Sequence, residues 1–359
     1  FPGLAPLFER MYLDLPAGDK GPRILFGCKD GKARVIWSRE GTTQGDPGGP
    51  SLFALAMHPA FEEIRAKLGS EAYVLAYLDD VFLLVPAPQA AHSLRVAEEA
   101  LGQRCGLRIK LSKCKIFDPA GGRVRGPDFE KGGRFFDVPQ STRGLLVVGG
   151  PVGSSEHQAQ TLRSEGLHNA EGLFEALPRL PTAQGGLVLL RSCGVPKFPC
   201  FLRVTPPSTG AAVGSEFDQA LASSFSDPTR VPLTELHEHR GTGAPSTTWA
   251  QAQLPVRHGG FGLRCQQDLA PLAYLGSLAQ CLAPLRQAFP SLRPKIDALL
   301  TPHETTLPSL EEAREALLTL QRDGVAATLR HDVPYTWENV LSKPAGWPGV
   351  QRRLARATG

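Results

Sequence analysis

At 359 residues the chain is long enough for two or more domains with real cores, and 42% hydrophobic residues against 21% charged exclude wholesale disorder. A net charge of +4 allows a nucleic-acid partner without by itself requiring one. No run approaches the ~18 consecutive apolar residues of a membrane span, and the nearest, residues 75–85, is interrupted by Asp79 and Asp80, so no membrane role is expected. The chain opens on Phe1 with no signal-peptide pattern, which reads as an internal piece of something longer. Seven cysteines, an odd number, make no disulfide framework and suggest a reducing compartment. Neither Cys105 with Cys114 nor Cys193 with Cys200 has CxxC spacing, and His237, His239 and His258 form no zinc-ligand set, so these cysteines read as small hydrophobes.

In chain order, residues 4–13 read as a helix end, and residues 23–37 as two strands reversed around Lys29, Asp30 and Gly31. Residues 50–70 read as a helix: Pro50 suits a first helical position, and Leu52, Phe53, Leu55, Ala56 and Ile64 supply an apolar face. Pro59 is expected to kink or break it. A hairpin follows, 72–77 with 81–85, whose reversal holds Leu78, Asp79 and Asp80, and then a helix over 89–105. Residues 107–152 read as short strands with turns at 120–122 and 131–133, closing in a strand at 145–148 before Gly149 and Gly150. From about residue 153 the pattern turns helical, with Ser154 and Ser155 as candidate N-caps. Residues 206–214 read as a linker or long loop, 266–289 and 310–330 as helices, and the basic tail 351–359 as frayed. The fold class is α+β, with an α/β first half and an α-rich second half.

The chemistry concentrates at Asp79 and Asp80. Adjacent carboxylates between apolar strands oppose each other's ionisation unless something positive sits there, and a divalent cation resolves the conflict. Mg²⁺ takes hard oxygens, usually one or two carboxylates plus substrate phosphates, so the pair points to phosphoryl transfer. Plain turn chemistry is the alternative, because Asp is common in tight turns.

The surrounding residues carry a resemblance. GTTQGDPGGPSLFALAMHP (residues 41–59) followed by AYLDDVFLLV (76–85) resembles the consecutive B and C motifs of reverse transcriptases, particularly those of non-LTR retrotransposons. GLRIKLSKCKIF (106–117) is similar to the family's D motif, and GLLVVGGPVG (144–153) to the strand that ends its palm. QLPVRHGGFGLR (253–264) looks like an element found downstream of the polymerase in many eukaryotic retroelement polyproteins. The resemblance implies a partial polymerase palm, an antiparallel sheet with helices, followed by an α-rich thumb and C-terminal region. It divides the chain into fingers and palm at 1–153, a thumb-like region at 154–205 and a C-terminal region at 206–359.

The resemblance also implies roles. Asp79 and Asp80 bind Mg²⁺ or Mn²⁺, and Tyr77 lies near the primer end or incoming dNTP. Gln44 and Gly45 are the pair at which the backbone approaches template and nucleotide. Lys113 protonates departing pyrophosphate. Gly149, Gly150 and Gly153, with Pro151, grip the primer. The partners are an RNA template, a DNA primer and dNTP, in the nucleus or cytoplasm of a eukaryotic host. The bland readings stay open: Gly45 and Gly48 as loop-shaping residues, and Lys113 as a solvated turn lysine.

The sequence departs from the family pattern in two places. Gly48 stands where the family usually has an apolar residue, which loosens the start of the helix. The A motif, an Asp before a small apolar stretch, is missing; Asp14 in MYLDLP imitates it, but residues 1–12 resemble a helix that lies well after that motif. The chain is therefore expected to be an N-terminally truncated polymerase that is inactive alone, because two-metal catalysis needs carboxylates from two segments. A decayed retroelement copy that keeps nucleic-acid binding is the alternative. A phosphotransferase of unrelated fold would explain YLDD but not its ordered companions.

Overall fold

The computed structural model describes residues 23–27, 33–37, 45–229, 247–301, 304, 306–323, 327–330, 333–350 and 354. The helix read at 4–13, Asp14, Lys29, Asp30, Gly31, Gln44, His237, His239 and the tail 351–359 apart from Leu354 lie outside these residues. The chain divides into two compact units, Phe1–Thr142 and Arg143–Gly359.

In the first unit, β1 (Arg23–Gly27) and β2 (Ala33–Trp37) pair antiparallel, as their β-prone composition suggests. Helix α1 (Gly49–Leu68) follows a turn that Asp46 builds: its carboxylate accepts from the Gly48 N–H at 2.8 Å, and its carbonyl from the Gly49 N–H at 3.0 Å. Pro50 sits in the first turn, where a missing N–H costs nothing. Of the kink or break expected at Pro59, the break does not occur: the helix runs through it. The carbonyl it cannot satisfy belongs to Leu55, which is exposed, so water can take that bond.

The buried stripe of α1 is Met57, Ala60, Ile64 and Leu68, at helical spacing; Leu55 and Ala56, expected on the apolar face, point to solvent. This stripe meets Val96, Ala97, Ala100 and Leu101 of α2 (Ala90–Cys105) to form the unit's core. Gly106, at φ 65, ends α2 in the left-handed conformation that glycine adopts freely. Arg95 reaches Asp128 at 2.7 Å and Arg134 reaches Glu98 at 2.7 Å, tying the outer face of α2 to the loop 118–139.

The strands expected across 107–152 are fewer than the sequence suggests. β5 (Ile116–Phe117) pairs parallel with β6 (Gln140–Ser141), and turns occupy most of the residues between. The Pro- and Gly-rich composition there supplies turn residues but too few unbroken β-prone runs.

The second unit begins with β7 (Gly144–Val147) and β8 (Gly150–Gly153), an antiparallel hairpin. Ser154 then caps α3 (Ser155–Thr161) by accepting from the His157 N–H, one of the two caps expected. The chain continues through a π-helical stretch, Leu162–His168, into α4 (Asn169–Ala176), then α5 (Ala183–Leu189), a second π-helical stretch, Leu190–Gly194, and α6 (Pro199–Leu202).

Residues 206–214, read as a linker, instead form the start of α7 (Pro207–Thr229). The glycines that suggested a loop serve close packing. A Cβ on Gly210 would stand 3.2 Å from Leu202 and 3.4 Å from Ala270, and one on Gly214 would meet the Gln267 nitrogen at 2.9 Å.

Helix α8 (Thr247–Gln253) leads to α9 (Gln266–Ala288), which is buried on most of its surface through Leu269, Leu272, Leu275, Leu278 and Leu282. A helix apolar on nearly all sides belongs at the centre of a bundle. Around it lie α10 (Arg293–Asp297), α11 (Pro308–Arg322) and α12 (Trp337–Ser342). The helix expected over 310–330 stops at Arg322, and residues 328–330 form β9 (Thr328–Arg330), paired with β10 (Val333–Pro334). One continuous core runs from Leu162 to Leu354, with Phe217 stacked 4.8 Å from Phe198 and edge-on to Phe174 at 5.7 Å. Within it the Tyr335 hydroxyl donates to the Leu275 carbonyl at 2.8 Å.

Asp218, on α7, caps α9 from outside. It accepts from the Gln266 N–H at 2.8 Å and the Gln267 N–H at 3.0 Å, and from the Cys265 thiol at 3.1 Å. Burial pushes its carboxyl up to about 6, against the pull of those N–H groups. Burial likewise raises the Cys265 thiol well above its ordinary value, which leaves it protonated and able to donate.

Candidate metal and nucleic-acid site

The first unit's hairpin consists of β3 (Tyr73–Tyr77) and β4 (Asp80–Leu84), antiparallel, with Tyr77 opposite Asp80 and Tyr73 opposite Leu84. Strand alternation gives it two faces. Val74 and Leu83, cross-strand partners, pack against the core of α1 and α2. The opposite face holds Leu75, Tyr77 and Leu84, which are 40%, 59% and 49% exposed, so it is open to a further element or a ligand.

The reversal holds two residues, Leu78 and Asp79, not three: Asp80 is the first residue of β4. Leu78 has φ 54, a value that a type II′ turn requires at its first central position and that glycine normally supplies. Holding a γ-branched side chain there costs on the order of 1 kcal/mol, which the flanking ladder offsets. The result places Asp79 at the tip and Asp80 beside Tyr77 on the open face, all exposed. Neither carboxylate has an ion-pair partner among the described residues. Unpaired, adjacent, hard-oxygen donors fit the demands of Mg²⁺ or Mn²⁺ as part of a site. Among the described residues no third His, Cys, Asp or Glu joins them in a ligand group.

Gly45, at φ 94, stands just before the turn that Asp46 builds at the start of α1; Gln44 lies outside the described residues. That role of Asp46 was missed, although the sequence DPGG signals an Asx turn. Lys113 lies in a 3₁₀ turn, Leu111–Lys113, and its backbone N–H bonds the Lys110 carbonyl at 2.9 Å. That turn leaves Lys110, Lys113 and Lys115 exposed on one short segment, none with an acidic partner among the described residues. The structure thus brings Tyr77, Asp79 and Asp80 together on one tip, with Gly45 and Lys113 elsewhere in the same unit.

Gly149, Gly150 and Gly153 belong to the second unit. Val148 and Gly149, at φ 48 and φ 78, form the reversal of β7 and β8, the double positive φ of a type I′ turn. Gly149 alone of the three is in the turn, and the other two are the end residues of β8. A Cβ on Gly153 would sit 2.2 Å from the Arg143 carbonyl, so only glycine fits there. Leu78 and Val148 are the two non-glycine residues with positive φ among those described, and each stands at a hairpin tip. Neither was foreseen, because nothing in a leucine or valine announces such a conformation.

In the second unit, residues 254–264 fold into a compact knot. The Phe261 and Leu263 N–H groups both reach the Ala252 carbonyl, at 3.1 and 3.2 Å, and the Gly262 N–H reaches Leu254 at 2.8 Å. A Cβ on Gly260 would stand 2.1 Å from the Leu254 carbonyl, and Gly259 has φ 81, which together explain the glycine pair in RHGGFG.

Residues 11–143 match the model of the family described as reverse transcriptase (RNA-dependent DNA polymerase). The match ends within one residue of the boundary at Thr142 and includes the whole β3–β4 hairpin. No curated protein and no solved structure matches the chain. Among the described residues no helix is long and apolar enough to cross a membrane.

Proposed function

We propose that residues 11–143 are the polymerase domain of a non-LTR retrotransposon-type protein that copies an RNA template onto a DNA primer. The observation that carries this reading is the coincidence of the family match with the first unit, whose hairpin presents Asp79 and Asp80 unpaired at its tip. The two carboxylates would hold Mg²⁺ or Mn²⁺, which would supply charge stabilisation as the primer hydroxyl attacks the α-phosphate and pyrophosphate leaves. Tyr77, beside Asp80 on the open face, would support the primer end or the incoming dNTP. Gln44 and Gly45 would lie against template and nucleotide. Lys113, exposed and unpaired among the described residues, would give its proton to the departing pyrophosphate. The hairpin at Val148 and Gly149, with Gly150 and Gly153, would hold the primer, and residues 154–205 and 206–359 would be the thumb-like and C-terminal regions.

A second reading is a decayed copy that binds nucleic acid without turnover. The isolated chain is expected to bind under both readings.

Its affinity for an RNA template with a DNA primer should fall steeply with salt and depend little on sequence, because the contacts are to phosphates. If Lys110, Lys113 and Lys115 each neutralise one phosphate, replacing all three by Ala should lower the slope of log K against log salt by roughly 2 to 3. Fluorescence anisotropy across a salt series measures this. Salt-independent or sequence-selective binding would remove the nucleic-acid reading.

A further inference from the structure

A groove of about 440 Å³ opens on the second unit between the π-helical stretch Leu190–Gly194 and the knot 254–264. Arg191 and Arg264 line it, over a floor to which Val195, Pro255, Val256 and Leu269 contribute. Both arginines are exposed, and neither has an acidic partner among the described residues. Among the described residues no carboxylate lines the groove.

Two unusual backbone features place Arg191. It lies on a π-helical turn, a geometry frequent where a helix serves a site. Its aliphatic stem also rests on Gly262, at φ 74, where a Cβ would stand 3.2 Å from the Arg191 Cδ. A side chain at 262 would crowd the Arg191 stem and shift it by a few tenths of an ångström. Val256, which lines the groove with the two arginines, is 55% exposed, and Phe261, next in sequence to the lining residue Gly262, is 45% exposed, although both are large and apolar. Phe261 keeps its place through Phe225, whose ring centroid is 5.7 Å away.

We infer that this groove binds single-stranded nucleic acid, the two arginines taking phosphates and the apolar surface taking a base. Guanidinium groups beside exposed apolar surface suit a flexible strand with unstacked bases. A duplex hides its bases and offers the floor nothing. An acidic peptide would satisfy the arginines too; the choice of nucleic acid rests on the polymerase reading of residues 11–143.

The test uses the full chain with a labelled r(U)₁₀ strand and, separately, an RNA–DNA primer–template. R191A/R264A should weaken binding of the single strand about tenfold or more. It should also lower its salt slope by about 1.4, the value for two phosphate contacts on a single strand. V256D, at a position that is 55% exposed, should weaken the single strand similarly by placing a carboxylate in the groove. Primer–template affinity should stay within about twofold in both variants. Single-strand binding unchanged in both variants would overturn the inference, as would displacement of r(U)₁₀ by an equal charge of poly-glutamate. Loss of primer–template binding with r(U)₁₀ binding still sensitive to R191A/R264A would overturn the polymerase reading and leave the groove standing.

Discussion

Primer extension by this chain alone is expected to run at least ~10³-fold slower than by a form that supplies a second carboxylate-bearing segment beside Asp79. Two-metal transfer clamps both ions between carboxylates from two segments, and the described residues present one, Asp79 with Asp80. Losing half the clamp removes several kcal/mol of transition-state charge stabilisation, and each ~1.4 kcal/mol is a factor of ten in rate. An assay with a poly(rA) template, an oligo(dT) primer, Mg²⁺ and labelled dTTP reads the effect, with Asp79→Ala as the control for a contaminating polymerase. Extension by the chain as it stands, abolished by Asp79→Ala, would show that a second carboxylate is present after all. Asp14→Ala would then identify it, since Asp14 is the candidate the sequence offers in an A-like setting.

Asp218 should make the second unit more stable in mild acid than at neutral pH. Its folded carboxyl is pushed up to about 6, above its ordinary value of 3.8, because burial disfavours the charge more than the Gln266 and Gln267 N–H groups favour it. Between those two values the folded state holds a proton that the unfolded state has lost. Stability from this group therefore falls as pH rises from about 4 to about 6, and is flat above that. The effect is about 2 to 3 kcal/mol, and Asp218→Asn should abolish it. Denaturant midpoints for both proteins at pH 4 and pH 7 give the comparison. Carboxylates held low, such as Glu216 beside Arg163, oppose the trend in both proteins and cancel in the difference. An identical pH response in the variant would mean that Asp218 is not buried as described.

The β3–β4 hairpin and the helices at 50–70 and 89–105 were legible because two β-prone apolar runs flank the Asp pair and helix-forming stretches are bounded by proline or glycine, although the buried stripe of α1 falls on Met57 and Ala60 rather than Leu55 and Ala56. The YLDD tip was legible for the same reason, with a shift of one residue in where the turn closes. Residues 206–214 misled because Gly210 and Gly214 look like loop residues, yet serve the close approach of α7 to Leu202 and to α9. Only the partner surface distinguishes those uses of glycine. The tertiary cap from Asp218 to α9 was invisible because 48 residues separate it from Gln266. Arg264 stood inside a quoted motif, but its groove depends on Arg191 in a π-helical turn that no local pattern announces. The paired strands β5 and β6 were too short to register, at two residues each.

The reading of the first unit turns on whether Asp79 holds a divalent cation. Titration of Mn²⁺ against the wild-type chain and Asp79→Asn, followed by the loss of free-ion electron paramagnetic resonance signal, tests that directly. Weak binding is expected in the wild type, since two carboxylates displace little of the ion's hydration, with a drop of about tenfold in the variant as one ligand charge is lost. Equal affinity in the two proteins would take Asp79 out of the site and leave the YLDD hairpin as a tight turn with ordinary turn residues.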